Sequence, residues 1–155
     1  MIDVRELDEQ EFACVDDALP LHRFDGWTAG STYLVDWDGS APIGHVHVAW
    51  EGTELELPEL QDMYVLPERR SQGVGTLLAR AAERLVSSQG HERCSLSVSE
   101  ANTDARRLYE RLGYTRASVP RKRVRGTITI RGAPFDVDDT LLYLTKRVGR
   151  RPELA

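Results

Sequence analysis

The chain has 155 residues, 41% of them hydrophobic and 29% charged, with a net charge of −5, which gives one domain with a sizeable core and leaves out disordered, collagenous and coiled-coil classes. No apolar run of signal-peptide length follows Met1, and none approaches the roughly 18 residues of a membrane span, so neither secretion nor a membrane is expected. The only two cysteines, Cys14 and Cys94, are far apart and lack metal-type spacing, which fits a reducing cytoplasm.

Residues 2–7 read as a first strand and 9–19 as a helix closed by Pro20. Residues 21–30 (LHRFDGWTAG) have no clear period and hold His22, Phe24 and Trp27 among turn formers. Two strand runs, 32–37 and 42–50, flank Asp38 and Gly39, a hairpin signal. His45 and His47 share one face of the second run. With no third ligand at matching spacing, they read as a solvated strand face and not as a metal pair. Residues 60–65 (LQDMYV) form a strand, and Pro67 turns the chain. Leu77, Leu78, Ala81, Ala82, Leu85 and Val86 then recur at helical spacing until Gly90 stops the run.

Residues 94–98 (CSLSV) alternate as a strand, and 102–114 read as a short helix with Asn102 or Thr103 as its cap and Gly113 as its stop. Strands follow at 114–119, 127–130 and 140–148. Between them come a basic turn, with Arg116, Arg121, Lys122, Arg123 and Arg125 as its cluster, and a loop over 131–139 holding Gly132, Pro134 and three aspartates. With no repeat and no linker, one domain is expected over 1–148, followed by a flexible tail over 149–155.

The junction at 70–75 (RSQGVG) lies where a strand ends and an amphipathic helix starts. Gly73 and Gly75 remove side chains there, so backbone N–H groups from Arg70, Ser71, Gln72, Gly73, Val74, Gly75 and Thr76 can converge on a phosphate with the helix dipole behind them. A pyrophosphate fits such a loop; the hexapeptide alone describes an ordinary tight turn equally well. It lacks the Lys-Ser or Lys-Thr of a P-loop and the third glycine of a dinucleotide fingerprint.

The pattern V-x-P-x-x-R-x-x-G-x-G over residues 65–75, followed by N-x-x-A-x-x-L-Y-x-x-x-G-Y over 102–114, resembles the GNAT superfamily of acetyl-CoA-dependent N-acetyltransferases. The resemblance is strongest over about residues 59–114. It implies an α+β fold: a twisted, mostly antiparallel mixed sheet splayed at the cofactor cleft, with helices on both faces. It also implies acetyl-CoA as cosubstrate, no metal, and direct attack by a neutral amine in a ternary complex.

By the same resemblance, the backbone of Met63, Tyr64 and Val65 binds the pantetheine arm as an added strand, and Asn102 hydrogen-bonds that arm beside Ala105. Asn102 also reads as a plain helix cap. Arg70 neutralises phosphate, or is a solvated surface arginine. Tyr109 becomes the acid that protonates the leaving thiolate, whereas spacing alone makes it a core aromatic with Ala105, Leu108 and Leu112.

The base is a carboxylate near the cleft, Glu59 or Asp62. At strand period these point to opposite faces, so only one reaches a given amine, and Glu59 is taken; ordered water would serve instead. In the family, residues 21–30 shape the acceptor pocket. The acidic stretch Glu51, Glu54, Glu56, Glu59 and Asp62 would attract a cationic amine, small molecule or protein, or simply be solvated. The basic cluster reads as a solvated turn, and nucleic acid is not an expected partner; a homodimer is compatible with the resemblance. The rival reading is a binding module without catalysis.

Overall fold

Strand β2 (Ser31–Asp38) and strand β3 (Ala41–Ala49) form the hairpin expected at Asp38 and Gly39, with Gly39 at φ +63° in the turn. This computed structural model describes residues 2–19, 27–130 and 132–149. The expectations for Pro20, His22, Phe24, Arg131 and the tail from 150 onward lie outside the described residues. Strand β1 (Ile2–Glu6) pairs antiparallel with β2, and β4 (Glu59–Val65) antiparallel with β3. Strand β5 (Arg93–Ser99) is parallel to β4, and β8 (Ala133–Arg147) is antiparallel to β5. β6 (Thr115–Arg116) and β7 (Lys122–Ile130) both pair with β8. The order β1-β2-β3-β4-β5-β8-β6 thus contains one parallel pair in an otherwise antiparallel sheet.

The period of two distributes the core. Leu34, Val46, Val48, Leu60 and Leu96 face the long helix α2 (Val74–Ser88), while Tyr33 and Val35 turn to the other side. There they pack with Leu7, Val15 and Leu19 around helix α1 (Phe12–Ala18). Helix α3 (Thr103–Arg111) leans Ala105, Leu108 and Tyr109 on the first core. Helices therefore cover both faces. The buried stripe of α2 runs Val74, Leu78, Ala79, Ala82 and Val86, so Leu77, expected inside, is 43% exposed.

Gly44 sets how closely α2 approaches the sheet. A Cβ there would stand 3.1 Å from the Tyr64 carbonyl oxygen and 3.2 Å from both Val74 Cγ1 and Leu78 Cδ1. Because the Tyr64 oxygen belongs to the β4 backbone and cannot step aside, a branched side chain must push against Val74 and Leu78 at the start of α2. Gly44→Val is expected to cost about 1 to 3 kcal/mol, the usual range for overpacking, measured as a lower urea midpoint. An unchanged midpoint would show that the helix is not seated on this glycine.

Four expectations need correction. The loop expected over 131–139 is strand from Ala133 onward: β7 and β8 are an extended hairpin in which Ile130 pairs with Ala133 and Gly132 takes φ +80°. The aspartates that suggested a loop are cross-strand partners. Asp136 Oδ1 accepts from Thr127 Oγ1 at 2.8 Å, and Asp138 takes two bonds from Arg123 at 3.0 and 3.1 Å. Lys122, Arg123 and Arg125 accordingly lie in strand β7, not in a turn. After α3 only Thr115 and Arg116 are strand, and Gly149, placed in the tail, donates its N–H to the Glu92 carbonyl at 3.1 Å.

The core also holds charge. Glu83 of α2 is 7% exposed and accepts from Lys146 Nζ at 2.6 Å and from the Tyr114 hydroxyl at 3.0 Å. This ties α2 to β8 and to the chain leaving α3. Cys94 Sγ lies 3.4 Å from the same hydroxyl, and burial pushes its thiol up to about 11, which keeps it protonated.

Candidate active site

The sheet opens along β4. Its pairing with β5 is confined to Glu59 with Ser95 and Leu60 with Leu96, after which β5 follows β8 and β4 follows β3. From Gln61 onward the β4 edge that faced β5 has therefore left its partner. A bulge bends it further: two steps along β3, His47 to His45, face three along β4, Gln61 to Tyr64, and Asp62 at φ +53° lies within the extra step.

Past β4 the chain makes a 3₁₀ turn at Pro67–Arg69, and Ser71 (φ +63°) and Gly73 (φ +84°) bend it into α2. Backbone that turns through the left-handed region aims successive N–H groups into one concavity. No side chain caps α2, and its first helical bond runs from Leu77 N–H to the Gly73 carbonyl at 3.1 Å. The N–H groups of Val74, Gly75 and Thr76 thus precede the helical ladder, at the positive end of the dipole. A Cβ on Gly73 would meet nothing within 4 Å, and one on Gly75 would reach Leu108 at 3.5 Å and Met63 at 3.6 Å. Both glycines leave room where a phosphate chain would lie.

A cleft of about 830 Å³ runs between this helix start, β4 and α3. All the residues expected to bind the cofactor border it except Gln72, whose Nε2 turns back to the Glu68 carbonyl at 3.3 Å. Arg70 borders the cleft with Nε on the Val65 carbonyl at 2.9 Å and its guanidinium 5.5 Å from the Tyr64 ring. Asn102 caps α3, its Oδ1 accepting from Ala105 N–H at 3.1 Å, which leaves the amide NH₂ as the donor it can offer a ligand. The Tyr109 hydroxyl lies 3.8 Å from Met63 Sδ, and its ring meets Tyr114 edge to face at 5.7 Å. Burial pushes its phenol up to about 12, so it holds its proton at neutral pH.

Glu59 is not in this cleft. It pairs with Ala49, shares the α1 face of the sheet, and is 7% exposed. Its strand position is still paired with β5, opposite Ser95, whereas Tyr109 lines the cleft. Asp62 does not point away from it as strand period required: the bulge brings Asp62 Oδ2 to 4.0 Å from His47 Nε2, on the Glu59 side. Burial raises the Glu59 carboxyl, a bond from Gln61 opposes this, and Glu54 and Asp62 add to the rise. His45 and His47 are buried, not solvated: His45 stacks on Tyr64 at 6.1 Å and His47 lies on Tyr33 at 5.0 Å. Among the described residues no group of His, Cys, Asp and Glu is placed to hold a metal.

Sequence reasoning missed Arg69, Arg107 and Arg111, which also border the cleft. The last two were discoverable, because residues four apart on a helix share a face and these flank Leu108. Arg69 was not, since only the fold brings Asp38 Oδ2 within 2.8 Å to hold it.

An open parallel seam, a bulged strand and an uncapped glycine-led helix meet in this one cleft. The chain belongs to the acetyltransferase (GNAT) family, whose model matches residues 1–114. Members of that family use acetyl-CoA. The chain is 42% identical over 74 residues to a mycothiol acetyltransferase of Thermobispora bispora, a stretch covering 48% of this chain and 25% of that protein. It is 33% identical over 82 residues to the N-acetyltransferase YjgM of Escherichia coli, covering 53% and 49%. The matches span about a quarter to a half of these curated relatives. Among solved structures, the ribosomal-protein-S18-alanine N-acetyltransferase of Escherichia coli superposes with a TM-score of 0.71 over 100% of this chain and 99% of that one. At 15% identity this likeness speaks to the fold alone.

Proposed function

We propose that the chain moves an acetyl group from acetyl-CoA to a primary amine by direct attack within a ternary complex. The observation that carries this reading is the coincidence, in one cleft, of the opened β4 edge, the uncapped start of α2 and the protonated Tyr109. Acetyl-CoA supplies the acyl group as a thioester, already activated for attack by an amine. The main chain of Met63, Tyr64 and Val65 pairs with the amides of the pantetheine arm as a strand would, with the Asn102 NH₂ beside it. The N–H groups from Gly73 to Thr76, with Arg70, neutralise the pyrophosphate. A backbone N–H of β4 polarises the carbonyl, Tyr109 delivers a proton to the departing sulfur, and Glu59 receives one from the amine across the seam.

Family membership points to the donor, and its relatives are named for acceptors as different as mycothiol and a ribosomal-protein alanine. The acceptor class here is a primary amine, small or protein-borne. The net charge of −5 and the carboxylates preceding and within β4 favour a cationic one. Two free thiols, Cys14 and Cys94, fit action in the cytoplasm.

A panel of amines incubated with acetyl-CoA, read by free thiol release, tests the reaction. Differential unfolding tests the donor site: acetyl-CoA at 100 times its dissociation constant should stabilise the chain by about 2.7 kcal/mol. Gly73→Val should abolish that gain, because a branched residue at φ +84° is strained by about 1 to 3 kcal/mol and stands over the phosphate site. Wild-type stabilisation in this variant would make the loop an ordinary turn. Stabilisation without thiol release from any amine would favour the binding module.

A further inference from the structure

Glu59 is tied into a polar chain that the reaction as described does not use. Gln61, two residues on and on the same face, donates from Nε2 to Glu59 Oε1 at 3.0 Å. Its Oε1 lies 2.9 Å from Nε2 of His47, which is opposite Gln61 in the register and 3% exposed. The chemistry fixes the direction. An ionised carboxylate only accepts, so the carboxamide must turn its NH₂ to Glu59 and its oxygen to the ring, and His47 must carry a proton on Nε2.

We propose that Gln61, held by His47, is a positioning residue that fixes the Glu59 carboxylate beside the β4–β5 seam, occupying one of its oxygens and leaving the other for the acceptor amine. This rests on the reading of Glu59 as the base. A glutamate has three rotatable side-chain bonds, and holding it before the amine arrives removes an ordering cost from the transition state. The surroundings of Glu59 make that bond matter. Burial above all, then Glu54 in the preceding loop and Asp62 on β4, disfavours an ionised Glu59, Glu54 being paired with Lys122 of β7 at 3.3 Å, while the phenol of Tyr143 on β8 is a further titratable group near it. The Gln61 N–H is the contact that favours the ionised form, and an unionised glutamate cannot accept a proton.

The test needs no acceptor. In the full chain labelled with [¹³Cδ]glutamate, the Glu59 carboxyl is titrated by NMR and assigned by its loss in Glu59→Gln. Gln61→Leu should move the midpoint upward, and His47→Phe, which keeps a ring against Tyr33, should move it the same way by less. In ¹⁵N-histidine-labelled wild type, His47 should show the Nε2–H tautomer. An unmoved Glu59 midpoint in the variants that fold, or a His47 proton on Nδ1 alone, would overturn the positioning role. Full thiol release by Glu59→Gln on an acceptor from the panel would instead overturn the base reading, and with it the catalytic use of the chain of bonds.

Discussion

Tyr109→Phe should lower turnover by about 10² to 10⁴, the usual worth of a general acid, while acetyl-CoA binding stays within a few-fold of wild type. The substitution keeps the ring that meets Tyr114 edge to face at 5.7 Å and removes only the hydroxyl beside Met63. The fold should therefore survive, and the loss should fall on turnover alone. Burial pushes that phenol up to about 12, so the group is protonated across the whole range in which an amine acceptor can be assayed. Steady-state kinetics on an acceptor from the panel, paired with calorimetric titration of coenzyme A, separates the two quantities. Full turnover in the variant would make Tyr109 a packing residue. The thiolate, with a parent pKa of about 8.5, would then leave unaided.

The second large effect lies away from the cleft. Asp36 of β2 is fully buried between Val4 and Gly44 in the register, on the face covered by α2, and neither of its carboxylate oxygens has a hydrogen-bond partner. Burial, with Asp3 adding to it, pushes this carboxyl from 3.8 up to about 7. A raised carboxyl keeps its proton in the native state over a range where the unfolded chain has lost it. Stability from this group is therefore greatest below pH 3.8 and falls as pH rises to about 7, by roughly 4 kcal/mol in all. Asp38, held down by Arg69, and Asp138, held down by Arg123, act in the opposite sense, losing stability as pH falls. Urea unfolding of wild type and Asp36→Asn between pH 4 and 8 cancels those terms. The stability of the variant relative to wild type should grow across that interval. Parallel profiles would mean that Asp36 is ionised and solvated in the native state.

Much of the fold was legible because its signals are local. Asp38 and Gly39 mark a hairpin, apolar spacing marks α2, and Gly73 and Gly75 mark the loop before it, since each depends on side-chain period or on backbone freedom at one or two residues. The β7–β8 hairpin was misread for the opposite reason. Asp136 and Asp138 resemble loop residues until the register supplies Thr127 and Arg123 across the ladder. His45 and His47 looked solvated because alternation tells which residues share a face but not what covers it. Tyr33 and Tyr64 cover these two.

The order of elements, the family and the glycine-led start of α2 follow from the sequence by itself, because sequence spacing encodes them directly. Which carboxylates stand together does not. Strand period sends Glu59 and Asp62 to opposite faces, and one bulged residue, set by how β4 pairs with β3, brings both to the side of His47. The tertiary structure alone also decided that Tyr109 borders the cleft and Glu59 does not. The reason is physical: a register slip or a parting of strands changes the side or the neighbour of every residue beyond it, and both depend on partners far away in the chain.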